Sequence, residues 1–360
     1  MGHKLGRGVP ARAAGSARLL AGAVVTATVA LSLAACGSSD EKDASASGVS
    51  SDAAGKPAAA KSVSGKTVVL LAGENSNTWA GAFNRRFEQQ LGAKGVKVKP
   101  LLTLSPTEQV QQFREAIAQK PDAIAVELLD TKATILPIQQ AKQAGVPVIA
   151  FDGPPDPSVR DDVRTVESNN AQLGQLAAEN LVEGLKAQGK EKANIIAIGG
   201  LKAMLLTQQR TEAFNKVMAQ HPGFKVLETT DSQWNPTVAL QQAQQLFAKY
   251  GKDKIDAAYG MSDYLAIPII QAAKRAGIKV GGKDGLLVVS GNCFKSGIAA
   301  IRAGELYGTN TEDPETIATQ TAKYLVDLLG DADPPQHTTV KEERITKANV
   351  DQFAAQCSKA

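Results

Sequence analysis

Short apolar segments alternate with amphipathic segments from Lys66 through most of the remaining chain. The apolar segments have the length of strands, and the amphipathic segments carry apolar residues at helical spacing. The predicted strands are Thr67–Ala72, Val96–Leu101, Ala123–Glu127, Val146–Phe151, Ala193–Ile198, Lys225–Thr230, Ala257–Gly260 and Leu286–Ser290. The predicted helices are Thr78–Ala93, Thr107–Gln119, Lys132–Ala144, Ala171–Lys186, Leu205–Gln220, Pro236–Tyr250 and Tyr264–Ala276. Regular alternation of this kind predicts an α/β fold whose parallel sheets are covered on both faces by helices.

The length of this region predicts two domains. About 295 residues follow Gly65, which is large for a single hydrophobic core. No tandem repeat of solenoid length divides the region into smaller units.

The first 35 residues have the layout of a secretory signal peptide. Residues 1–18 contain four basic side chains and no acidic one, and an apolar run follows from Leu19 to Leu33. A basic segment, a short apolar core and small residues at its end are typical of a cleaved export signal. The alternative is a membrane anchor helix, but fifteen residues fall short of the roughly twenty that span a bilayer.

The end of the leader, Leu33-Ala34-Ala35-Cys36, resembles the lipobox of bacterial lipoproteins. The resemblance implies that Cys36 is lipidated and becomes the new N-terminus; the alternative is an ordinary cleavage site beside a chance cysteine. Residues 37–65 are rich in Ser, Ala, Gly and Lys and contain almost no large apolar residue. Such a segment cannot bury enough surface to offset its ordering entropy, so 36–65 is predicted to be a lipidated flexible tether.

The basic pI belongs to the leader. The full chain carries a formal net charge of +4, and loss of the four basic leader residues leaves basic and acidic residues equal at 36 each. A neutral exported body lacks the basic patch of a nucleic-acid-binding protein.

Two of the three cysteines remain once Cys36 is assigned to lipid. An even pair in an oxidising compartment predicts one disulfide, between Cys293 and Cys357. Two unpaired thiols are the alternative.

Polar and aromatic side chains collect directly after the predicted strands. They occur in the segments Gly73–Trp79, Phe151-Asp152-Gly153, Trp234-Asn235, Ser262-Asp263 and Ser290-Gly291-Asn292. Ligands of parallel α/β sheets bind at the carboxyl ends of the strands. Amides and carboxylates hydrogen-bond to hydroxyls, and an indole face packs on the C–H side of a sugar ring. This pattern predicts a site for a hydroxylated small molecule.

From Lys66 to about Lys341 the chain resembles the ribose-binding type of periplasmic sugar-binding protein. The matching landmarks are Asn77-Thr78-Trp79, Val148-Ile149-Ala150-Phe151-Asp152, Ser168-Asn169-Asn170 followed by Gly174, Gln209–Phe214 with its "R-x-x-x-F" pattern, and Ser262–Ala266 in place of "N-D-x-x-A". The resemblance implies a type I periplasmic binding protein fold, with two Rossmann-like lobes joined by a three-strand hinge. The implied lobes are 66–168 with 313–338, and 169–312 with 339–360.

Carried over position by position, the resemblance nominates nine ligand-binding residues: Asn77, Trp79, Asp152, Arg210, Trp234, Ser262, Asp263, Asn292 and Glu312. Asp152 is expected to accept from hydroxyls, Arg210 to donate in a fork, and Trp234 to stack on the ring. Structural roles stay open for each. Asn77 and Asp263 could cap helices, Asn292 could serve a turn, and Glu312 could be a solvated hinge charge. The tryptophans could be core residues, and Asp152 could pair with Arg210 without touching ligand.

The chain departs from the resembled family at several of these positions. Gly153 stands where the ribose-binding proteins often carry Arg, Asn292-Cys293-Phe294 replaces Phe-Asp-Gly, and Glu312 replaces a hinge Gln. Another pentose, a hexose, a polyol or a cationic solute would each be compatible with these changes.

The resemblance implies a binding lipoprotein of an ABC importer, exported and held at the outer face of the cell membrane. It would act as a monomer, bind a sugar or polyol without a cofactor or metal, and dock on a membrane permease. One alternative is a glycosidase using Asp152 and Glu312, and another is a sugar-responsive transcription regulator of the LacI type. The third is a binding lipoprotein that reports to a sensor kinase or binds a signalling molecule. The leader occupies the place of a DNA-binding head, and the mature chain retains only His221 and His337, so we expect a binding protein and no enzyme.

Overall fold

The computed structural model describes residues 61–358. The strands are β1 (Thr67–Ala72), β2 (Lys97–Leu102), β3 (Ala123–Glu127), β4 (Val148–Asp152), β5 (Arg164–Ser168), β6 (Ala193–Gly199), β7 (Phe224–Asp231), β8 (Ala257–Gly260), β9 (Leu287–Val289), β10 (Gly308–Asn310), β11 (His337–Val340) and β12 (Arg344–Thr346). The helices are α1 (Thr78–Gly92), α2 (Pro106–Ala118), α3 (Ile135–Gln143), α4 (Asn170–Ala187), α5 (Leu205–Met218), α6 (Pro236–Tyr250), α7 (Asp263–Arg275), α8 (Lys295–Ala303), α9 (Pro314–Leu329) and α10 (Val350–Cys357). The predicted signal peptide, lipidated Cys36 and most of the tether lie outside the described residues.

Two six-stranded sheets organise the molecule. The first has the order β11-β5-β4-β3-β1-β2 and is parallel throughout. The second has the order β12-β10-β9-β8-β6-β7 and is parallel except for the β10–β12 pair. We call each sheet with its covering helices a lobe. The predicted α/β fold of two parallel-sheet lobes is confirmed.

The central strands of both sheets are buried on their two faces, as their apolar sequences require. Along β1, Val68 and Leu70 pack in one hydrophobic cluster while Val69 and Leu71 pack in another, because successive side chains point to opposite faces. Helix α9 packs on the same face as α1, through Ile317. The last long helix before β11 therefore belongs to the first lobe.

The chain passes between the sheets three times. It crosses after β5 at Ser168, between β10 and α9, and between β11 and β12. These three crossings correspond to the expected three-strand hinge.

Side-chain caps fix several helix starts that point toward the strand ends. Ser105 Oγ accepts from the Glu108 amide ahead of Pro106, which is the first residue of α2. Asn235-Pro236 and Asp313-Pro314 start α6 and α9 in the same way. The structure shortens predicted α3, which begins at Ile135, because the Asp130 carboxylate binds the amides of Lys132 and Ala133 in a turn.

Cys293 and Cys357 form a disulfide with a Cα–Cα distance of 4.6 Å. The disulfide joins the end of α10 to the segment just before Phe294, and both lie in the second lobe. Among the helices in residues 61–358, none combines the length and apolarity needed to cross a bilayer.

Candidate functional site

The carboxyl ends of the strands of both lobes face one cavity. Seven of the nine predicted residues line it: Asn77, Trp79, Asp152, Arg210, Trp234, Asn292 and Glu312. All seven side chains are at least nine-tenths buried. Asn77, Trp79 and Asp152 come from the first lobe, Arg210, Trp234 and Asn292 from the second, and Glu312 from the crossing between β10 and α9.

Arg210 lies between two carboxylates. Its Nη2 is 3.8 Å from Asp152 Oδ1 and 3.9 Å from Glu312 Oε2. Its Nε donates to Asn170 Oδ1 at 2.7 Å. A guanidinium on α5 thus contacts the end of β4, the first crossing and the second crossing together, which predicts that it couples the positions of the two lobes.

Glu312 is held on one side and free on the other. Oε1 accepts from Trp79 Nε1 at 2.6 Å and from Ser168 Oγ at 3.4 Å. Oε2 is buried and has no hydrogen-bond partner among the described residues. Ser168 Oγ also lies 3.1 Å from Asp152 Oδ1, so its single hydroxyl hydrogen can be donated to either carboxylate.

The two tryptophans have different surroundings. Trp79 stacks on Phe83 and Phe151, with ring centroids 5.4 and 6.4 Å apart. Trp234 lies under the Arg210 guanidinium, whose Cζ is 5.7 Å from the ring centroid, and donates from Nε1 to Met204 Sδ. A Cβ at Gly200 would lie 2.0 Å from the Trp234 ring, so only glycine permits the ring to sit there.

Three cavity residues adopt left-handed backbone conformations at the strand ends. The φ angles are 66° at Asp152, 57° at Trp234 and 77° at Asn292. Such conformations are costly for residues other than glycine and cluster at functional sites. They turn these side chains out of the strand direction and into the cavity.

Burial dominates the electrostatics of the site. It raises the pKa of Asp152, against the opposing effect of Arg210. Burial, followed by the neighbouring charge of Asp152, raises the pKa of Glu312 well above its usual range. The same two causes raise the pKa of Glu127 to about 7, although Gly73 N–H donates to its Oε2 at 2.9 Å. The cavity therefore holds more carboxylate than its one guanidinium neutralises.

Direct contacts hold the lobes together around the cavity. Asn77 Nδ2 donates to Trp234 O at 3.2 Å while its Oδ1 caps α1 through the Trp79 and Ala80 amides. Asn77 thus fills the helix-capping role and also faces the second lobe. Leu205 N donates to Thr131 Oγ1 at 3.0 Å. A Cβ at Gly153 would lie 2.9 Å from Leu206 Cδ2, which places the lobes in close contact there.

The remaining space at the site is about 20 Å³, roughly the room of one water molecule. Pockets that hold small molecules typically enclose about 300–1,000 Å³. Entry of a ligand therefore requires the lobes to separate or the side chains to rearrange.

Ser262 and Asp263 do not line the cavity, which corrects their nomination. The Asp263 carboxylate accepts from Ser290 Oγ, from Thr309 Oγ1 at 2.6 Å and from the Phe294 amide at 3.0 Å. These donors hold it inside the second lobe, where it supports the β9 and β10 ends. It does not cap α7 either, since it is the first residue of that helix and Ser262 is the N-cap.

Other cavity residues were not nominated from the sequence, among them Glu127, Tyr264, Met204 and Leu129. Glu127 ends an otherwise apolar strand, and a carboxylate at the carboxyl end of a buried strand is a usable signal. Tyr264 follows Asp263, and its ring contacts Trp234, which packs in the second lobe's hydrophobic cluster, and Phe294, which packs against the first lobe's cluster. Met204 and Leu129 give no such signal, because apolar side chains at loop positions are indistinguishable from core residues.

Comparison with known proteins agrees with this architecture. The D-apiose import binding protein of Paraburkholderia graminis is 26% identical over 245 residues, covering 66% of this chain and 74% of that protein. The ribose import binding protein of Bacillus subtilis is 23% identical, covering 73% and 81%. The crystal structure of a galactofuranose binding protein superimposes with a TM-score of 0.75 at 21% identity, covering 81% and 97%. These relatives are binding proteins by name, not enzymes. A family model described as a periplasmic binding protein domain matches residues 68–333. The chain belongs to this periplasmic binding protein family.

Proposed function

We propose that this protein is the exported solute-binding component of an ABC-type importer and that it binds a monosaccharide or related polyol by closing its two lobes. The observation that carries the proposal is the meeting of Asp152, Arg210 and Glu312 in one buried site. These residues come from the first lobe, the second lobe and a crossing between them.

A ligand that bridges these groups favours the closed state. Lobe closure gains free energy from a ligand only if the ligand interacts differently with the open and closed forms. A hydroxylated ring that accepts from Arg210 and donates to Asp152 satisfies this condition, since the two groups belong to different lobes. Hinge closure of this kind is a known transition of periplasmic binding proteins.

The site residues have distinct proposed roles. Asp152 accepts from ligand hydroxyls, and Arg210 donates to ring and hydroxyl oxygens. Trp79 and Trp234 supply apolar faces for ring C–H groups. Asn77 and Asn292 add amide contacts from the two lobes.

The lobe boundaries follow the crossings, at 168/169, at 312/313 and between Val340 and Arg344. The third lies beyond the expected 338/339, because β11 pairs with β5 as far as Val340. We propose that Cys36 is lipidated after removal of 1–35, and that residues 36–65 tether the monomeric body to the outer face of the cell membrane. The lipid then keeps the closed, loaded form near its permease. Metabolic labelling with a palmitate analogue tests the anchor: the full chain is expected to be labelled and the Cys36→Ser variant unlabelled.

Calorimetric titration of the purified protein with D-apiose, D-ribose, xylitol and a wider panel of sugars and polyols tests the binding function. A compound at a hundred times its dissociation constant should stabilise the protein by about 2.7 kcal/mol. Small-angle scattering should show compaction with the same compound. Arg210→Lys should weaken binding, whereas Glu212→Gln, an exposed change on the same helix, should not. Saturation without compaction would contradict closure, and failure of the whole panel would contradict the sugar or polyol assignment.

A further inference from the structure

The charges lining the cavity do not balance. Of its lining residues, three are carboxylates, Glu127, Asp152 and Glu312, and one is a cation, Arg210. All four side chains are more than nine-tenths buried. Ionisation of all four groups would leave a surplus of two negative charges in a site from which water is largely excluded. A surplus of this kind is costly unless a proton or a further cation compensates it.

One carboxylate oxygen is also left without a donor. Glu312 Oε2 is buried and accepts no hydrogen bond from residues 61–358, and the Arg210 nitrogen nearest to it lies beyond hydrogen-bond distance, at 3.9 Å. Arg210 cannot move closer without losing other contacts, because its Nε is bound to Asn170 and its guanidinium lies against Trp234. Glu312 therefore presents an unused acceptor to the cavity.

A neutral sugar could supply the missing hydrogen-bond donor but not the missing positive charge. Hydroxyl groups donate to carboxylate oxygens, but they leave the surplus charge unchanged. An ammonium group donates up to three hydrogen bonds and also supplies the missing positive charge. It does so from the position that a hydroxyl would occupy on the same ring or chain. Asp152 and Glu312 share one donor, Ser168 Oγ, so their carboxylates lie close enough to receive a single cationic group.

Building on the proposed function, we propose that the ligand is an aminated sugar or aminated polyol whose ammonium group binds between Glu312 and Asp152. The hydroxyls of the same ligand then bind Arg210 and the amides of Asn77 and Asn292. The acid at position 312, rather than the amide that the sequence resemblance implies there, is the specificity-determining feature.

Matched pairs of ligands that differ only by a hydroxyl and an ammonium group test this inference. Suitable pairs are sorbitol with 1-amino-1-deoxysorbitol, myo-inositol with an amino-deoxyinositol, and glucose and galactose with their 2-amino-2-deoxy analogues. Calorimetric titration of the purified protein should show, in at least one pair, tighter binding of the amine by about ten- to a hundredfold, the range expected for a hydrogen bond to a charged group. Glu312→Gln should remove this preference while retaining the shape of the site, and Glu212→Gln should leave it unchanged.

Proton exchange provides a second readout. Burial holds protons on the site carboxylates, and docking of an ammonium group displaces them. Binding enthalpies measured in buffers of different ionisation enthalpy should therefore show net proton release for the amine and much less for its hydroxyl partner. The release should shrink in Glu312→Gln.

The outcomes separate this inference from the function on which it rests. Binding of neutral compounds with lobe closure, but no preference for the amine in any pair, would overturn the inference and leave the proposed function standing. Equal loss of both members of a pair in Glu312→Gln would also overturn it, since Glu312 would then act structurally. If neither the hydroxyl compounds nor the amines bind, both the inference and the proposed function are overturned.

Discussion

Trp79 Nε1 donates to Glu312 Oε1 at 2.6 Å across 233 residues of sequence, joining the start of α1 to the crossing before α9. Trp79→Phe keeps an aromatic ring beside Phe83 and Phe151 but removes this donor. We expect the free energy of unfolding, measured by urea denaturation, to fall by about 1–3 kcal/mol. In a Glu312→Gln background the loss should be smaller at a pH high enough to ionise Glu312, because hydrogen bonds to charged acceptors are stronger than those to neutral ones. Equal losses in both backgrounds would contradict this account.

Removal of Arg210 is expected to affect stability as well as binding. At a pH at which Asp152 and Glu312 are ionised, Arg210→Ala leaves them buried without a counter-charge, and breaking a buried pair typically costs about 3–5 kcal/mol. Chemical denaturation of the ligand-free protein measures this loss. Arg302→Ala removes an exposed partner of exposed Asp351 and should cost less than about 1 kcal/mol. A small effect at Arg210 would mean that the two acids are protonated and do not need it.

Gly153→Ala should weaken ligand binding by resisting closure. The new Cβ would meet Leu206 of the second lobe at 2.9–3.1 Å, while separated lobes would accommodate it without contact. We expect a lower ligand affinity measured by calorimetry, and a larger radius of gyration of the liganded form. Leu206→Ala in the same chain should restore closure. If the single substitution binds normally, Gly153 is not a contact that limits closure.

Stability should fall as the pH rises toward neutrality. The pKa of buried Glu127 is about 7, against an ordinary value of 4.5, so the folded state keeps a proton that the unfolded state loses. The free energy of unfolding should therefore decrease between about pH 4.5 and 7, by an amount on the order of 3 kcal/mol for this group. The neighbouring charge of Asp152 contributes to the raised pKa of Glu127. Asp263 and Glu342 also have pKa values of about 7, so they lower the stability over the same pH range.

Comparison with Glu127→Gln isolates the contribution of this one residue. Its amide oxygen can still accept from the Gly73 amide, so the hydrogen bond survives while the titration does not. Unfolding curves collected from pH 4.5 to 8 should be flatter for the variant. Parallel stability profiles for the two proteins would show that Glu127 does not titrate in this range.

The disulfide should stabilise both the fold and the cavity. It closes a loop with a sequence separation of 64 between Cys293 and Cys357, for which chain entropy predicts about 4 kcal/mol in the unfolded state. The Cys293→Ser/Cys357→Ser protein should lose about 2–4 kcal/mol of unfolding free energy. Because Asn292 lines the cavity directly before Cys293, ligand affinity should fall too. Unchanged affinity after the loss of the bridge would show that Asn292 is positioned without it.

The sequence was sufficient to predict the regular part of the fold. Apolar strands and capped helices such as Pro236–Tyr250 follow from periodicity and local start signals, and the observed element has those same bounds. The predicted elements end at Ser290, whereas the structure adds α8, α9 and α10. Asp313-Pro314 is a helix start signal for α9 that the local sequence already contains. Strands β10 and β12 have only three residues each and depend on pairing with distant segments, which no local pattern reveals.

The site was predictable to the level of strand ends but not of side-chain direction. Asp152 and Asp263 both stand at the ends of strands, and only coordinates separate them. The left-handed φ of Asp152 turns its carboxylate into the cavity, while three donors, from β10 and from the segment after β9, keep Asp263 inside its lobe. Those donors lie between 27 and 46 residues away in sequence.

The placement of the indoles gives this protein a built-in optical reporter. The chain contains two tryptophans, and both line the cavity, one in each lobe. Trp79 is bound to a carboxylate and Trp234 lies beside a guanidinium and a thioether, so separation of the lobes changes the polarity and quenching around each. Emission from the unlabelled protein should therefore follow opening and closing in real time, including the rates that equilibrium titrations cannot resolve.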